Sequence, residues 1–174
     1  MSKKIAFIAE LQNEAASSRK MLERVPTDKN DWAPHEKSMK LGRLSTHVAE
    51  LPGWVAMAVN ADELDFLKMD YKPLTNPTQE ELLALHDENV RKATEALENA
   101  SDEVFEQMWT LRRGDHIIFT MPKKVVLRSM AFNHMVHHRG QLSVYLRLLD
   151  VPVPGMYGPS ADDKAVPVAD TVLG

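Results

Sequence analysis

The chain has 174 residues, of which 26% are charged and 44% hydrophobic, and its formal net charge is −4. This balance fits one soluble domain with a full-sized core and offers no basic face to nucleic acid. Cysteine is absent, which excludes a disulfide framework, a thiolate nucleophile and a sulfur-ligated zinc site.

The start, Met1-Ser2-Lys3-Lys4-Ile5-Ala6-Phe7-Ile8-Ala9-Glu10, briefly resembles a signal peptide. Its apolar stretch stops at Glu10, too short for the core of one, and no apolar run along the chain is long enough to span a bilayer. A cytoplasmic protein is expected.

Four helical segments are predicted. The first covers residues 4–24, with Ile8, Leu11, Ala15, Ser18, Leu22 and Val25 on one stripe. A polar loop with Trp32 and Pro34 follows. The second helix is expected to open near Ser38 as N-cap and to run its seam through Leu44, His47, Leu51, Trp54 and Ala58. Pro52 removes one backbone hydrogen bond and crowds the carbonyl of Val48, so a kink is expected one turn after His47. Gly53 eases the bend.

A long irregular connection over residues 61–77 exceeds ordinary loop length and suggests a crossover. The third helix opens with a capping box, Thr78 with Glu81, and its buried face is read as Leu83, Val90 and Leu97. From Trp109 to Thr120, apolar residues flank Arg113-Gly114-Asp115, as in two short extended arms around a turn.

Pro122 signals the start of the last helix, residues 122–149. Its seam reads Leu127, Ala131, His134, His138, Gln141, Tyr145 and Leu148, with Leu142, Leu146 and Leu149 beside it. Gly140 costs about 0.5–1 kcal/mol against alanine in a helix interior, which points to close approach by another backbone or a ligand. Past Asp150 the prolines and glycines forbid helix. Residues 151–174 are expected to form an extended tail that packs near Tyr157 and frays at its end.

His134 and His138 are the chemically informative pair. Four residues apart on a helix, they lie only ~40° apart around the axis, so both can turn a ring nitrogen to one point. His47 falls on the seam of an otherwise apolar helix, and a third imidazole would complete a three-histidine metal site. The competing reading has each ring hydrogen-bonded to a buried carbonyl or to Gln141, and residue spacing leaves both open. His137 sits at the edge of the same face, where a ligand role stays open, but contact with a carboxylate or a partner subunit is the first expectation. His86 is assigned a structural role; His35 and His116 belong to exposed loops. Glu50 and Gln141 are the candidate catalytic residues, Glu50 able to orient a ligand or act as a base and Gln141 able to support a ligand from outside. Met57, Met69, Met108, Met130 and Met135 are read as core gap-fillers.

The segment from Leu41 to Trp54, with Thr46-His47-Val48-Ala49-Glu50-Leu51-Pro52-Gly53, resembles the metal-binding second helix of the DinB-like (DinB/YfiT) family. Asn133-His134-Met135-Val136-His137-His138-Arg139-Gly140-Gln141-Leu142 resembles its last helix, and the run from Pro152 to Asp162 resembles the tail of one branch. The resemblance implies an all-α four-helix bundle over residues 1–150, up-down-down-up, with the short extended excursion inserted before the last helix. It also implies a divalent metal on His47, His134 and His138, and a homodimer. Zinc and nickel are the first expectations for the metal and iron the next, although imidazole itself does not choose among them. Relatives include bacillithiol- or mycothiol-dependent S-transferases and a maleylpyruvate isomerase. The implied partner is a small-molecule substrate, with a low-molecular-weight thiol as one candidate, and neither nucleic acid nor membrane. A non-catalytic metal-binding stress-response module is the alternative.

Overall fold

Helix α1 (Lys3–Leu22) buries Phe7, Leu11, Ala15, Ser18 and Leu22, residues spaced three or four apart along one face. It belongs to a computed structural model that describes residues 2–163. Helix α2 covers Leu41–Glu50 and α3 covers Gly53–Asn60. The second helix therefore begins later than expected. Its N-cap is Lys40, which makes no side-chain cap; Ser38 lies in a turn whose amide donates to the His35 carbonyl at 2.9 Å.

The predicted kink is a complete break at Leu51-Pro52. Beyond it the Trp54 and Val55 amides reach back only three residues, to Leu51 and Pro52, each at 3.1 Å. Asn89, from α4 (Gln79–Asn99), fills the gap by donating its Nδ2 to the Ala49 carbonyl at 3.1 Å. A Cβ at residue 53 would stand 2.7 Å from Asn89 Oδ1, so glycine is what admits this side chain.

Helix α4 opens with the predicted box: Thr78 Oγ1 accepts from the Glu81 amide while Glu81 Oε2 accepts from the Thr78 amide. Its inner face is rotated by about one residue from the prediction. Leu82, His86, Ala93, Ala96 and Leu97 are buried, whereas Leu83 and Val90 are only partly so.

The all-α class is corrected by a three-stranded mixed sheet. Strands β2 (Met108–Arg113) and β3 (His116–Pro122) form the antiparallel hairpin anticipated as extended arms, with Gly114 at φ +60° in the turn. They also recruit β1 (Glu63–Asp65) from the long connection, parallel to β2 with Leu64 opposite Leu111. Three residues carry too little alternation to announce a strand; β1 exists because β2 offers it an edge. Trp109 and Leu111 turn inward from β2 and pack on the helices. The fold is therefore helices plus a sheet, not a purely helical bundle.

The last helical stretch is continuous but uneven. A short α5 (Lys123–Val126) passes into a π-helical segment, Leu127–Phe132, and then into α6 (Asn133–Leu148). The Asn133 amide reaches back five residues to the Arg128 carbonyl. One extra residue per turn shifts the phase of the helix beyond it, so Met135, His138, Leu142, Tyr145 and Leu146 form the buried face of α6 while Leu148 and Gln141 face outward. Buried Lys123 joins this stretch to the crossover: its Nζ donates to the Val59 carbonyl and pairs with Asp62, both at 2.9 Å.

The core has two halves. One gathers Phe7, Leu97, Trp109, Leu127 and Phe132; the other gathers Met21, Leu44, Leu82, Leu142 and Leu146. Val151, Val153 and Met156 of the tail pack on the second half. Tyr157 Oη donates to Glu14 Oε2 at 2.7 Å. The expected fraying of the tail's end falls on residues 164–174, outside those described. Among the methionines, Met135 is fully buried, but Met69 and Met108 are exposed and not gap-fillers.

Candidate metal centre

Helices α2 and α6 pack against each other and bring His47, His134 and His138 together. One ring nitrogen from each lies within 4.8 Å of the other two. His134 and His138 Nε2 are 2.8 Å apart, and His47 and His134 Nε2 are 3.4 Å apart. His47 and His138 are buried and His134 half-buried.

The second nitrogen of each ring fixes what the first can do. His138 Nδ1 lies 2.7 Å from Gln141 Oε1, and His134 Nδ1 lies 3.3 Å from the Met130 carbonyl inside the π-helical segment. Both partners are acceptors, so each Nδ1 carries the proton. His47 Nδ1 is buried without a hydrogen-bond partner among the described residues, and Glu50 Oε2 lies 3.6 Å from it. With Nδ1 protonated on His134 and His138, these two rings turn Nε2 lone pairs toward a point that His47 Nε2 also faces. Lone pairs 2.8 Å apart repel unless a proton or a cation lies between them. Three imidazole nitrogens this close together could hold a metal ion.

Burial, then the neighbouring imidazoles, holds His134 below the ordinary imidazole value. His138 is pushed down to about 4, first by burial and then by His47 and His134, although the bond to Gln141 opposes this. Both rings are thus neutral near pH 7, the form that ligates metals. Trp54 stands edge-on to His134 at 5.7 Å and to His47 at 6.4 Å, screening them with an apolar ring.

Glu50, one turn after His47, occupies the wall of a cavity of about 250 Å³ lined by Arg43, His47, Trp54, Phe66, Met69 and Tyr71. Burial raises its pKa, but the approach of His47, the Tyr71 hydroxyl and Arg43 outweighs burial and leaves the carboxyl below its usual range. Tyr71 Oη donates to Glu50 Oε2 at 2.7 Å, and Arg43 Nη1 lies 3.3 Å from the same oxygen. Tyr71 is itself pushed up to about 12, by burial and by this carboxylate.

Gln141 is exposed on α6 and touches the triad only through His138. His137 is exposed, its ring 4.8 Å from that of His138. His86 lies apart, buried on α4 with Nδ1 3.3 Å from Asp87 Oδ1. Among the described residues nothing approaches within 4 Å of a Cβ at Gly140, so the close contact expected there is not made by them. Arg43 and Tyr71 were not singled out from sequence. Arg43 precedes His47 by four residues and Glu50 by seven, one helical face, and that spacing was a usable signal. Tyr71 arrives through the crossover, where no local pattern could place it.

The family model described as DinB family matches residues 1–170. The chain belongs to the DinB family. An uncharacterized Bacillus subtilis (strain 168) protein, YrdA, is 25% identical over 163 residues, covering 91% of this chain and 90% of YrdA. Two solved DinB-like structures share the fold. The B. subtilis protein YjoA has a TM-score of 0.66 at 18% identity, over 84% of this chain and 96% of its own. A protein from Bacillus cereus ATCC 10987 also scores 0.66, at 23% identity, over 87% and 95%. Among the described residues no helix is long and apolar enough to cross a membrane.

Proposed function

We propose that this DinB-family chain is a divalent-metal-dependent enzyme in which His47, His134 and His138 hold the ion through Nε2. The observation that carries the reading is the directed hydrogen bonding of His134 and His138, which leaves both Nε2 lone pairs facing His47 Nε2. Side chains would seal a purely structural ion. Here His47 is also part of a cavity wall, with Glu50 beside it.

A divalent ion bound there would supply Lewis acidity, enough to bring the pKa of a bound water to ~7 or to favour the thiolate of a small thiol. The chain's own residues then divide the work. Glu50, 3.6 Å from the His47 ring, presents a carboxylate to the cavity as proton acceptor. Gln141 fixes the His138 tautomer, and Trp54 keeps water from the ligand rings. The chain has no cysteine, so sulfur chemistry would draw its thiol from a small molecule. We read the reaction as S-transfer from a bacillithiol-like thiol to a small electrophile, with zinc or nickel as the metal and iron next in order.

The reading extends to a homodimer. Val136, Val144 and Leu148 are exposed along α6 at four-residue steps, with Gly140 between them, an apolar stripe that a second copy would cover. A dimer that persists in Val144→Glu by light scattering would remove this stripe as its interface.

Elemental analysis of tag-free protein, with thiol-conjugation assays on electrophilic substrates, tests the main claim. His134→Ala should lose both metal and turnover. Turnover retained by the metal-free variant would refute it.

A further inference from the structure

We infer that the cavity beside His47 seats the substrate and selects a small molecule with a metal-ligating anionic head and a flat apolar body. The inference rests on the three-histidine reading and adds the substrate class to it.

The cavity's roof comes from the crossover, as Phe66, Met69 and Tyr71. These large side chains are 43%, 38% and 43% exposed, although nothing in the core requires them there. The roof is fastened at both ends. At one end the Phe66 amide donates to the Arg112 carbonyl at 3.0 Å, and Asp65 Oδ1 accepts from the Leu67 and Gly114 amides at 3.0 and 2.9 Å. At the other, Tyr71 is tied to Glu50. Apolar groups held over a preformed hollow bind a guest without first paying to order the loop.

Charge decides the rest. Arg43 and Glu50 sit 3.3 Å apart, and the Arg43 guanidinium lies 5.7 Å from the centre of the Tyr71 ring. The wall's two charges thus offset each other, and the remaining surface of Trp54, Phe66 and Met69 favours an uncharged body. Three neutral imidazoles, by contrast, leave the double charge of a divalent ion uncompensated, which favours an anionic head. His47 belongs both to the wall and to the triad, so head and body are parts of one molecule. About 250 Å³ lies below the usual span of drug-sized ligand sites and restricts that body to roughly one ring.

Cobalt(II)-loaded protein tests this by titration calorimetry and by the cobalt absorption spectrum, with benzohydroxamate and acetohydroxamate as probes. Both ligate divalent ions as anions and differ only in the body. The wild type should bind benzohydroxamate at least about tenfold more tightly. In Phe66→Ala and in Met69→Gln that preference should collapse toward unity with cobalt content unchanged, since both residues are exposed and neither belongs to the histidine triad. Equal affinities in the wild type, or a preference that survives both substitutions, would overturn the inference and leave the metal site standing. Benzamide binding as tightly as benzohydroxamate would remove the anionic head. Failure of the wild type to take up cobalt at all would overturn the metal reading and this one with it.

Discussion

Gln141 Oε1 accepts from His138 Nδ1 at 2.7 Å, and the opposite nitrogen of the same ring comes within 2.8 Å of His134 Nε2. An exposed glutamine therefore decides which nitrogen of a buried imidazole keeps its lone pair. Gln141→Ala frees the ring to flip or change tautomer and should weaken metal affinity by about 10–100-fold, as loss of such an outer partner usually does. Thermal stability of the chelated protein should hardly change, because the glutamine side chain is exposed. Chelator-competition titration reads the affinity. A wild-type value in the alanine variant would show that the tautomer is set elsewhere.

The depressed imidazoles make the chelated protein acid-sensitive. His138 titrates at about 4 in the fold against the usual 6.5, and His134 is shifted the same way, both first by burial. The unfolded chain therefore takes up protons that the folded chain refuses. Their stabilising contribution is complete above pH 6.5 and is lost as pH falls from there toward 4. For His138 the loss amounts to about 3 kcal/mol. Urea unfolding of chelated protein at pH 7.5, 5.5 and 4.5 measures it. His138→Asn should flatten the decline; an equally steep curve in that variant would place the acid sensitivity on other groups.

How far these features could be read from sequence depended on how local their causes are. The capping box of Thr78 and Glu81 is complete within four residues, and the turn at Gly114 needs only its neighbours. Both were legible. The spacing of His134 and His138 likewise fixed that the two rings share a face, and the seam position of His47 aimed it inward. Strand β1 was not legible, because Glu63-Leu64-Asp65 becomes a strand only against the edge of β2, some 47 residues further on. The π-helical turn was missed too: Leu127–Phe132 contains ordinary helix formers, and tertiary packing sets the extra residue. That turn changed which residues of α6 are inside, burying Arg139 and leaving Leu148 out.

The break after His47 gives a double-mutant test. Gly53 leaves room for Asn89, and Asn89 Nδ2 satisfies the Ala49 carbonyl at 3.1 Å. Asn89→Leu should cost about 1–2 kcal/mol by orphaning that carbonyl. Gly53→Ala should cost about as much by pushing the asparagine away, less the smaller gain that alanine has over glycine at the first position of a helix. Both act through one contact, so the double variant should be less destabilised than the sum of the singles. Chemical denaturation of the four proteins gives the coupling. Strict additivity would mean that Gly53 and Asn89 stabilise the bend independently.

Next to His138, Arg139 anchors α6 from the opposite side. Its Nη2 pairs with Glu14 Oε2 at 2.5 Å, and its Nη1 donates to the Glu14 carbonyl at 2.9 Å and to Ser18 Oγ at 3.2 Å. The two side chains are only 2% and 9% exposed, so neither charge can turn to water if its partner is removed. Arg139→Met should cost about 3–5 kcal/mol, because it leaves a buried carboxylate with too few donors. Glu14→Met should cost a similar amount by stranding the guanidinium. Replacing both by methionine should restore most of the loss, since an apolar pair carries no desolvation penalty. Tyr157 donates to the same carboxylate but is 67% exposed, and Tyr157→Phe should cost about 1 kcal/mol or less. Denaturant midpoints of the four variants rank these costs. Single variants within 1 kcal/mol of wild type would mean that water reaches the pair and that α6 is held in place by its apolar face alone.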